Sequence, residues 1–449
     1  MRVGIIGAGI TGLALTHYLA QRDIDSITFE ASPDAGGVIN SREVEGKVIE
    51  VGPQRMRKTP AIAELAETAG VTDQLREGGE GDLYVYAGGS LGKAPLSPEA
   101  LLKTDLLSWR AKARLLAEPL TAPGHPAESV ADVFTRKFGR EVYERFVGPL
   151  YGGLYGSDPA RMPAAFALEG LLEREKETGS LLQAFRQRVG QGHTAPPLAV
   201  EGGNQRLLDG LATAHSERVQ LETPVTAVER TNGGEVERRN GGEVERTNGG
   251  FVLHTATDRT VVDELVVTTP AGVTAELLAD VAPTTSALEK LRYNPLAMVF
   301  MDAALDRGGK GYQVGYEESL HTLGVAWNPN LFGENRVHTA FLGGMHEPEL
   351  VSESDDRLAA IATEEFEQVT GTPARAVEVA RLKPGFPAWD DSWWLLEDVE
   401  LPEGLTLATN YTARMGIPSR VREARELADE FATRTDEAAN TANPPLADD

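Results

Sequence analysis

MRVGIIGAGITGLALTHYLAQRDIDSITFEAS, residues 1–32, is the stretch that decides the fold. Arg2 to Ile6 is a short β-branched run of the kind that suits a strand buried in a parallel sheet. Gly7, Gly9 and Gly12 follow in the G-x-G-x-x-G spacing, and Leu13, Leu15, Tyr18 and Leu19 continue as an apolar helix. A second strand, Ser26 to Phe29, ends at Glu30. Strand, glycine turn, helix, strand and an acid about twenty residues on form one mechanism. Gly7 makes the tight turn, Gly9 lets backbone approach a pyrophosphate, and Gly12 lets the helix pack close to the strand. The backbone at Ile10 and Thr11, opening the helix, then meets the phosphate charge. Glu30 accepts hydrogen bonds from ribose hydroxyls and its charge disfavours a 2′-phosphate, so FAD or NAD fits better than NADP.

Composition narrows the chemistry. At 449 residues the chain has room for roughly two to three domains. Cysteine is absent, which removes disulfides and thiolate chemistry and makes a cytoplasmic protein the plainest expectation. The eight histidines lack ligand-like pairing, so no metal site is expected. No apolar run is long enough to span a bilayer, and the first strand begins too near Met1 to leave room for a leader. Asp and Glu number 68 against 43 Lys and Arg, a formal net charge of -25, which disfavours nucleic acid. The same excess points to a high-salt cytoplasm, where screening keeps an acidic monomer soluble. Equal stability and activity in low and multimolar salt would remove that expectation.

EASPDAGGVINS (30–41) sets Gly36 and Gly37 just beyond the acid, and EVGPQRMR (50–57) brings Gly52 and Pro53 after another strand. Four later stretches extend the pattern: FVGPLYGGLYGSDPARMPAAFAL (146–168), LLEREKETGSLLQAF (171–185), LAVEGGNQRLLDGLA (198–212) and ATNYTARMGIPSRV (408–421). In this order the chain resembles the protoporphyrinogen/coproporphyrinogen oxidase family, within the flavin-containing amine oxidase superfamily.

The resemblance implies FAD as cofactor and a porphyrinogen, a small tetrapyrrole, as substrate. Each two-electron step passes hydride to the flavin and then to molecular oxygen or another acceptor. The flavin carries the hard chemistry, so no catalytic side chain is assigned. The resemblance places Gly36, Gly37, Gly52 and Pro53 beside FAD and Val225 near its adenine end. Asn410, Met415, Gly416, Ile417 and Pro418 supply the last flavin segment, with Pro418 suited to a first helical turn. For the propionates it points to Arg57, with Arg55 second and Lys58 beside them, because an arginine fork binds a carboxylate bidentately. A solvated basic patch is the competing reading of these cations.

The expected fold is α/β: a discontinuous Rossmann-like FAD-binding domain with a mixed-sheet substrate domain and a helical subdomain. The nucleotide domain takes residues 1–80, 198–285 and 376–434, with a repeat insertion at 229–250. A helical/substrate subdomain takes 81–197, the substrate-binding sheet 286–375, and 435–449 is a disordered tail. Within this frame VVDELVVTT (261–269) reads as one strand and Val421 to Phe431 as the last helix. Gly88 to Gly92 matches G-x-S-x-G, but Pro95 and Pro98 follow where a helix is required, so Ser90 is read as part of a surface hairpin.

Departures from the family leave the substrate open. Val38 follows the paired glycines where a bulky or basic residue is usual, and Trp389, Trp393 and Trp394 stand where a proline-glutamine-tyrosine motif is expected. An amine oxidase, a polyene desaturase and a non-catalytic escort protein on the same scaffold remain alternatives. SLLQAFRQRVG and AKARLLAEPL are compatible with a peripheral membrane face or with ordinary amphipathic helices. VERTNGGEVERRNGGEVERTNGG (228–250) repeats a charged, glycine-rich unit that cannot build a core. It reads as a tandem duplication of a hairpin turn, either an extended ribbon or a flexible loop.

Overall fold

The structure, a computed structural model, describes residues 1–79, 81–190, 195–231, 234–237, 244–247, 249–333, 336–412 and 416–442. β1 (Arg2–Ile6) pairs in parallel with β2 (Asp25–Phe29) on one side and with Glu264–Val267 on the other. Val219–Gln220 and Leu405–Leu407 add parallel strands outside these, so three separated parts of the chain build one five-stranded sheet. α1 (Ile10–Ala20) is buried from Ile10 to Leu19. Leu13, Leu15 and Tyr18 share one core with Leu207 and Leu211 and with Val421, Ala424 and Ala428 of the terminal helix Ile417–Ala442. This explains why a helix following the first strand is apolar on nearly every side.

A second sheet of seven strands lies apart from the first. Its order is Ala374–Pro387, Tyr293–Ala303, Val337–Gly343, Thr322–Ala326, Gly311–Val314, Leu83–Ala87 and Ser90–Lys93. The expected boundaries at 81 and 376 therefore require correction. Leu83–Ala87 pairs in parallel with Gly311–Val314, and Ala374–Pro387 pairs with Tyr293–Ala303, so both belong to this sheet. VVDELVVTT also divides. Arg259–Val262 pairs antiparallel with Gly250–His254, whereas Glu264–Val267 joins β1, with Asp263 between them bonded to the backbone of Arg2. Gly88 and Gly89, both at positive φ, turn Leu83–Ala87 into Ser90–Lys93, and Ala94 and Pro95 follow without a helix. Ser90 is thus a hairpin residue, as expected.

The region from Pro98 to Gly190 is helical. α2 (Gly148–Tyr155) lies directly on the seven-stranded sheet. A Cβ on Gly152 would sit 1.8 Å from the Tyr316 ring, and one on Gly153 would sit 1.7 Å from Gln313 Oε1. The paired glycines therefore remove side chains where helix and sheet touch. α3 (Glu169–Thr178) ends at Gly179 in the left-handed region. Beyond it, Ser180 Oγ and the Leu181 amide donate to the buried Glu118 carboxylate at 2.5 and 3.0 Å. Lys137, also buried, pairs with Glu118 at 3.0 Å and with Glu175 of α3.

Two terminal expectations meet different outcomes. The last helix runs to Ala442, so residues 435–442 extend it where a disordered tail was expected. Asp436, Glu437, Ala438 and Ala439 keep the helix going, consistent with the helix propensity of Ala and Glu. Residues 443–449 lie outside the described residues. Within the repeat, Gly234–Glu237 pairs antiparallel with Val244–Thr247, and outside it Ala227–Thr231 pairs antiparallel with Gly250–His254. Residues 232–233, 238–243 and 248 of the repeat lie outside the described residues.

Candidate functional site

The glycines of the first turn divide into two kinds. A Cβ on Gly7 would sit 2.5 Å from Thr268 Oγ1, on Gly12 2.0 Å from Gly7 O, on Gly36 2.7 Å from Ile39 O, and on Gly52 1.9 Å from Val38 O. Protein fills those spaces, so these glycines let neighbouring backbones touch. Gly9 and Gly416 differ: among the described residues a Cβ on Gly9 meets nothing nearer than 3.9 Å, and one on Gly416 meets nothing within 4 Å. Their open faces lie at the starts of α1 and of the terminal helix, as a ligand cradle requires.

The rest of the cleft converges on the same place. Gly9 bridges to Gly36, and Gly36 donates its amide to Ala8 O at 2.9 Å, bringing the Gly36–Gly37 loop beside the first turn. Gly52 holds that loop from behind, with Pro53 half-buried after it. Gly9, the N-cap of α1, makes no side-chain cap bond, which suits backbone amides at Ile10 and Thr11 that serve an anion. Glu30 Oε2 accepts the Ala8 amide at 2.8 Å and Oε1 the Ser32 amide at 3.0 Å, which fixes the carboxylate at the mouth of the turn. Val225 is buried, two residues after Thr223, whose amide bonds Glu30 O at 2.8 Å. Ile417 is buried and Pro418 half-buried in the first helical turn, with Asn410 half-buried after the last strand. Met415 lies outside the described residues. Open glycine faces, an uncapped helix start and an oriented carboxylate fit a dinucleotide.

A cavity of about 670 Å³ lies in the helical region. Phe134, Phe138 and Phe185 stand among its aromatic walls, Tyr155 and Trp389 bring it towards the seven-stranded sheet, and Ser419 and Arg422 of the terminal helix close it. Trp389 stacks on Tyr155 at 4.9 Å and on Trp393 at 4.7 Å. Ser157 pins this wall. Its hydroxyl oxygen accepts the Trp389 amide at 2.9 Å and Asn294 Nδ2 at 2.7 Å, while its carbonyl accepts Tyr316 Oη at 3.1 Å.

The predicted carboxylate clamp is elsewhere. Neither Arg55 nor Arg57 lines the cavity. Arg57 is exposed on the short strand Met56–Arg57 and donates to Ala195 O at 3.0 Å. Arg55 reaches Lys310 O at 3.3 Å and Asn328 Oδ1 at 3.4 Å, at the seam between the nucleotide domain and the seven-stranded sheet. Burial, with Arg57 adding repulsion, pushes the Arg55 guanidinium down to about 10. Lys310 is lowered by burial and then by the charges of Arg57 and Arg55. Lys58 pairs with Glu77. Pairing of Met56–Arg57 with the strand Pro197–Val200 turns these cations towards the seam and the surface.

The profile of flavin containing amine oxidoreductases matches residues 10–430. The chain belongs to that family. It is an FAD-dependent oxidoreductase. Protoporphyrinogen oxidase 2 of Arabidopsis thaliana is 23% identical over 495 aligned residues, covering 99% of this chain and 96% of that protein. Coproporphyrinogen III oxidase of Staphylococcus aureus is 34% identical over 199 residues, 41% of this chain and 42% of that protein. Among solved structures, a chain from Exiguobacterium sp. 255-15, named provisionally as a protoporphyrinogen oxidase, superposes with a TM-score of 0.75 at 22% identity. That match covers 96% of this chain and 99% of the other. Cyclohexylamine oxidase from Brevibacterium oxydans IH-35A has a TM-score of 0.68 at 16% identity, covering 97% and 99%. At these identities the structural likenesses establish the fold.

Sequence reasoning missed several residues of this flavoenzyme. Ser157 lies inside a quoted stretch, but Trp389, Asn294 and Tyr316 reach it from distant segments. Arg420, buried on the terminal helix, donates to Thr409 O and pairs with Glu423, bracing the start of that helix against the end of the last strand. A buried arginine three residues before a glutamate was the available signal.

Proposed function

We propose that this flavoenzyme oxidises a porphyrinogen, protoporphyrinogen IX or coproporphyrinogen III, to the porphyrin in tetrapyrrole biosynthesis. The observation that carries the reading is the aromatic cavity against the first turn of the terminal helix. Its size falls within the usual range for a small-molecule site, about 300–1,000 Å³. Phenyl and indole faces, with Trp389 held between Tyr155 and Trp393, suit a broad, largely apolar macrocycle of linked pyrrole rings. When bound, FAD accepts the hydride removed from the substrate carbon. The protein's own part is to hold the macrocycle in place, exclude water and keep the Trp389 wall rigid through Ser157. The curated relatives named as porphyrinogen oxidases support the substrate class.

The helical region also presents an exposed apolar face. Trp109 is 73% and Leu120 89% exposed, with Leu96, Leu102 and Leu116 exposed along the same stretch. Arg110 and Lys112 accompany them on the helix Trp109–Leu116. We read this face as a peripheral membrane contact, and Leu96, which also lines the cavity, links the two.

The deciding experiment is anaerobic mixing of the holoenzyme with protoporphyrinogen IX, coproporphyrinogen III and a panel of amines. Bleaching of the flavin by one porphyrinogen, with no response to amines, is the expected result. Bleaching by an amine alone overturns the reading in favour of an amine oxidase.

A further inference from the structure

We propose that Arg174 and Arg422, at the charged margin of the aromatic cavity, bind the carboxylates of its ligand and select acids over neutral esters. This assignment rests on the porphyrinogen reading of the cavity and deepens it. The lining is apolar and aromatic throughout most of its length, and its charged members are Glu169, Arg174 and Arg422. The lining itself thus carries two cations and one anion, on a chain whose net charge is -25. A polycarboxylate approaching such a chain is repelled over most of the surface. At this margin it meets guanidinium groups instead.

The two arginines come from different elements. Arg174 lies half-buried on α3, five residues beyond Glu169, while Arg422 sits one turn after Ser419 on the terminal helix. Ser419 and Arg422 both line the cavity, as residues three apart on one helical face can. Arg422 is 63% exposed and only 4.0 Å from Glu426, a loose contact that leaves its fork available to a carboxylate. An aromatic interior with cations at a solvated edge sorts an amphipathic ligand by its two ends: apolar macrocycle inside, carboxylates at the rim. The guanidinium plane matches a carboxylate bidentately, which an ammonium cannot do. Arg55 and Arg57 lie outside this lining, so the carboxylate ends of a ligand in the cavity meet Arg174 and Arg422 instead.

The test compares coproporphyrin III with its tetramethyl ester. Holoenzyme is titrated with each, and porphyrin fluorescence anisotropy reports the dissociation constant. Arg174→Gln and Arg422→Gln are each expected to weaken the acid by about three- to tenfold, as for partly solvated charge-assisted bonds, and to leave the ester within twofold. Arg174→Lys and Arg422→Lys should restore only part of the loss. High salt should reduce the acid's advantage in the wild type and not in the double variant. An acid preference that survives the double substitution overturns the assignment, as does its loss in Arg57→Ala with both Gln variants unchanged. Failure of the reading of function shows separately, in unsubstituted holoenzyme that binds neither porphyrin.

Discussion

Lys137→Met withdraws the cation from a triad that water does not reach. Lys137, Glu118 and Glu175 are each 2% exposed or less, and Lys137 contacts both carboxylates. The substitution keeps most of the apolar stem and removes the ammonium with its charge and donors. Glu118 retains the Ser180 hydroxyl and Leu181 amide, and Glu175 retains the Gly124 amide at 2.9 Å, so neither carboxylate loses all its donors. Two buried negative charges then face each other without their cation, and breaking such a group costs about 3–5 kcal/mol. For a unit of the helical region's size that lowers Tm by roughly 12–40 °C. The loss should reach the cavity, because Phe134 and Phe138 flank Lys137 on one helix and both line the wall. Thermal unfolding by near-ultraviolet circular dichroism, with FAD saturating, provides the measurement. Lys137→Met/Glu118→Gln/Glu175→Gln, which removes all three charges, should recover most of the stability. A Lys137→Met protein within 2 °C of the wild type, or a triple variant less stable than the single, refutes the reasoning.

Gly52→Ala places a Cβ 1.9 Å from Val38 O and must push the Gly36–Gly37 loop; FAD affinity, read by flavin fluorescence, should fall roughly ten- to a hundredfold. Removing residues 229–244 shortens the insertion by two repeat units, and FAD content and turnover should stay within twofold of the full chain. Burial pushes His338 from 6.5 down to about 4, so between those values the folded chain binds fewer protons than the unfolded one. The stability this group contributes is complete above pH 6.5 and is lost as pH falls through the window, by about 3 kcal/mol; His338→Leu should flatten that part of a pH series of urea melts. Trp109→Ser with Leu120→Ser should cut flotation with anionic liposomes by about tenfold or more, since each side chain carries about 1.5–3 kcal/mol of burial.

The nucleotide half was legible because its information is local. Strand, glycines, helix and Glu30 lie within one short stretch, and their spacing prescribes the contacts they make. Ala374–Pro387 was not legible as part of the second sheet. It is a half-exposed edge strand whose alternation is weak, and its partner Tyr293–Ala303 is far away in the chain. VVDELVVTT looked like one strand because its apolar runs are continuous across Asp263, whereas pairing sends the halves into different sheets. Arg55 and Arg57 were picked for following the Gly-Pro turn, and proximity in sequence does not tell which way a short paired strand presents its side chains. The cavity had no sequence signature at all: its walls run from Pro95 to Arg422 and meet only when the helical region docks on the sheet through Gly152 and Gly153.

Cofactor binding and ligand choice consequently depend on different properties of the chain. The cleft is made by backbone: Gly12 and Gly52 admit a carbonyl where any Cβ would collide, and Gly9 and Gly416 leave open faces. Side chains other than Glu30 contribute little to its shape, so aromatic substitutions in the cavity should alter the Michaelis constant while leaving flavin content intact. The cavity is made by side chains, and its nearest approach to the cofactor segment is through Ser419 and Arg422. Ser157 is where the two requirements meet, because one hydroxyl fixes Trp389 while the adjoining glycine helix docks on the sheet. Ser157→Ala leaves the Trp389 amide and Asn294 Nδ2 without that acceptor, at a cost of about 1–3 kcal/mol. The wall should loosen before the flavin is lost, so the Michaelis constant should rise at a Ser157→Ala flavin content equal to wild type. Loss of FAD without a change in the Michaelis constant of the remaining holoenzyme would place Ser157 with the cleft and dissolve the separation.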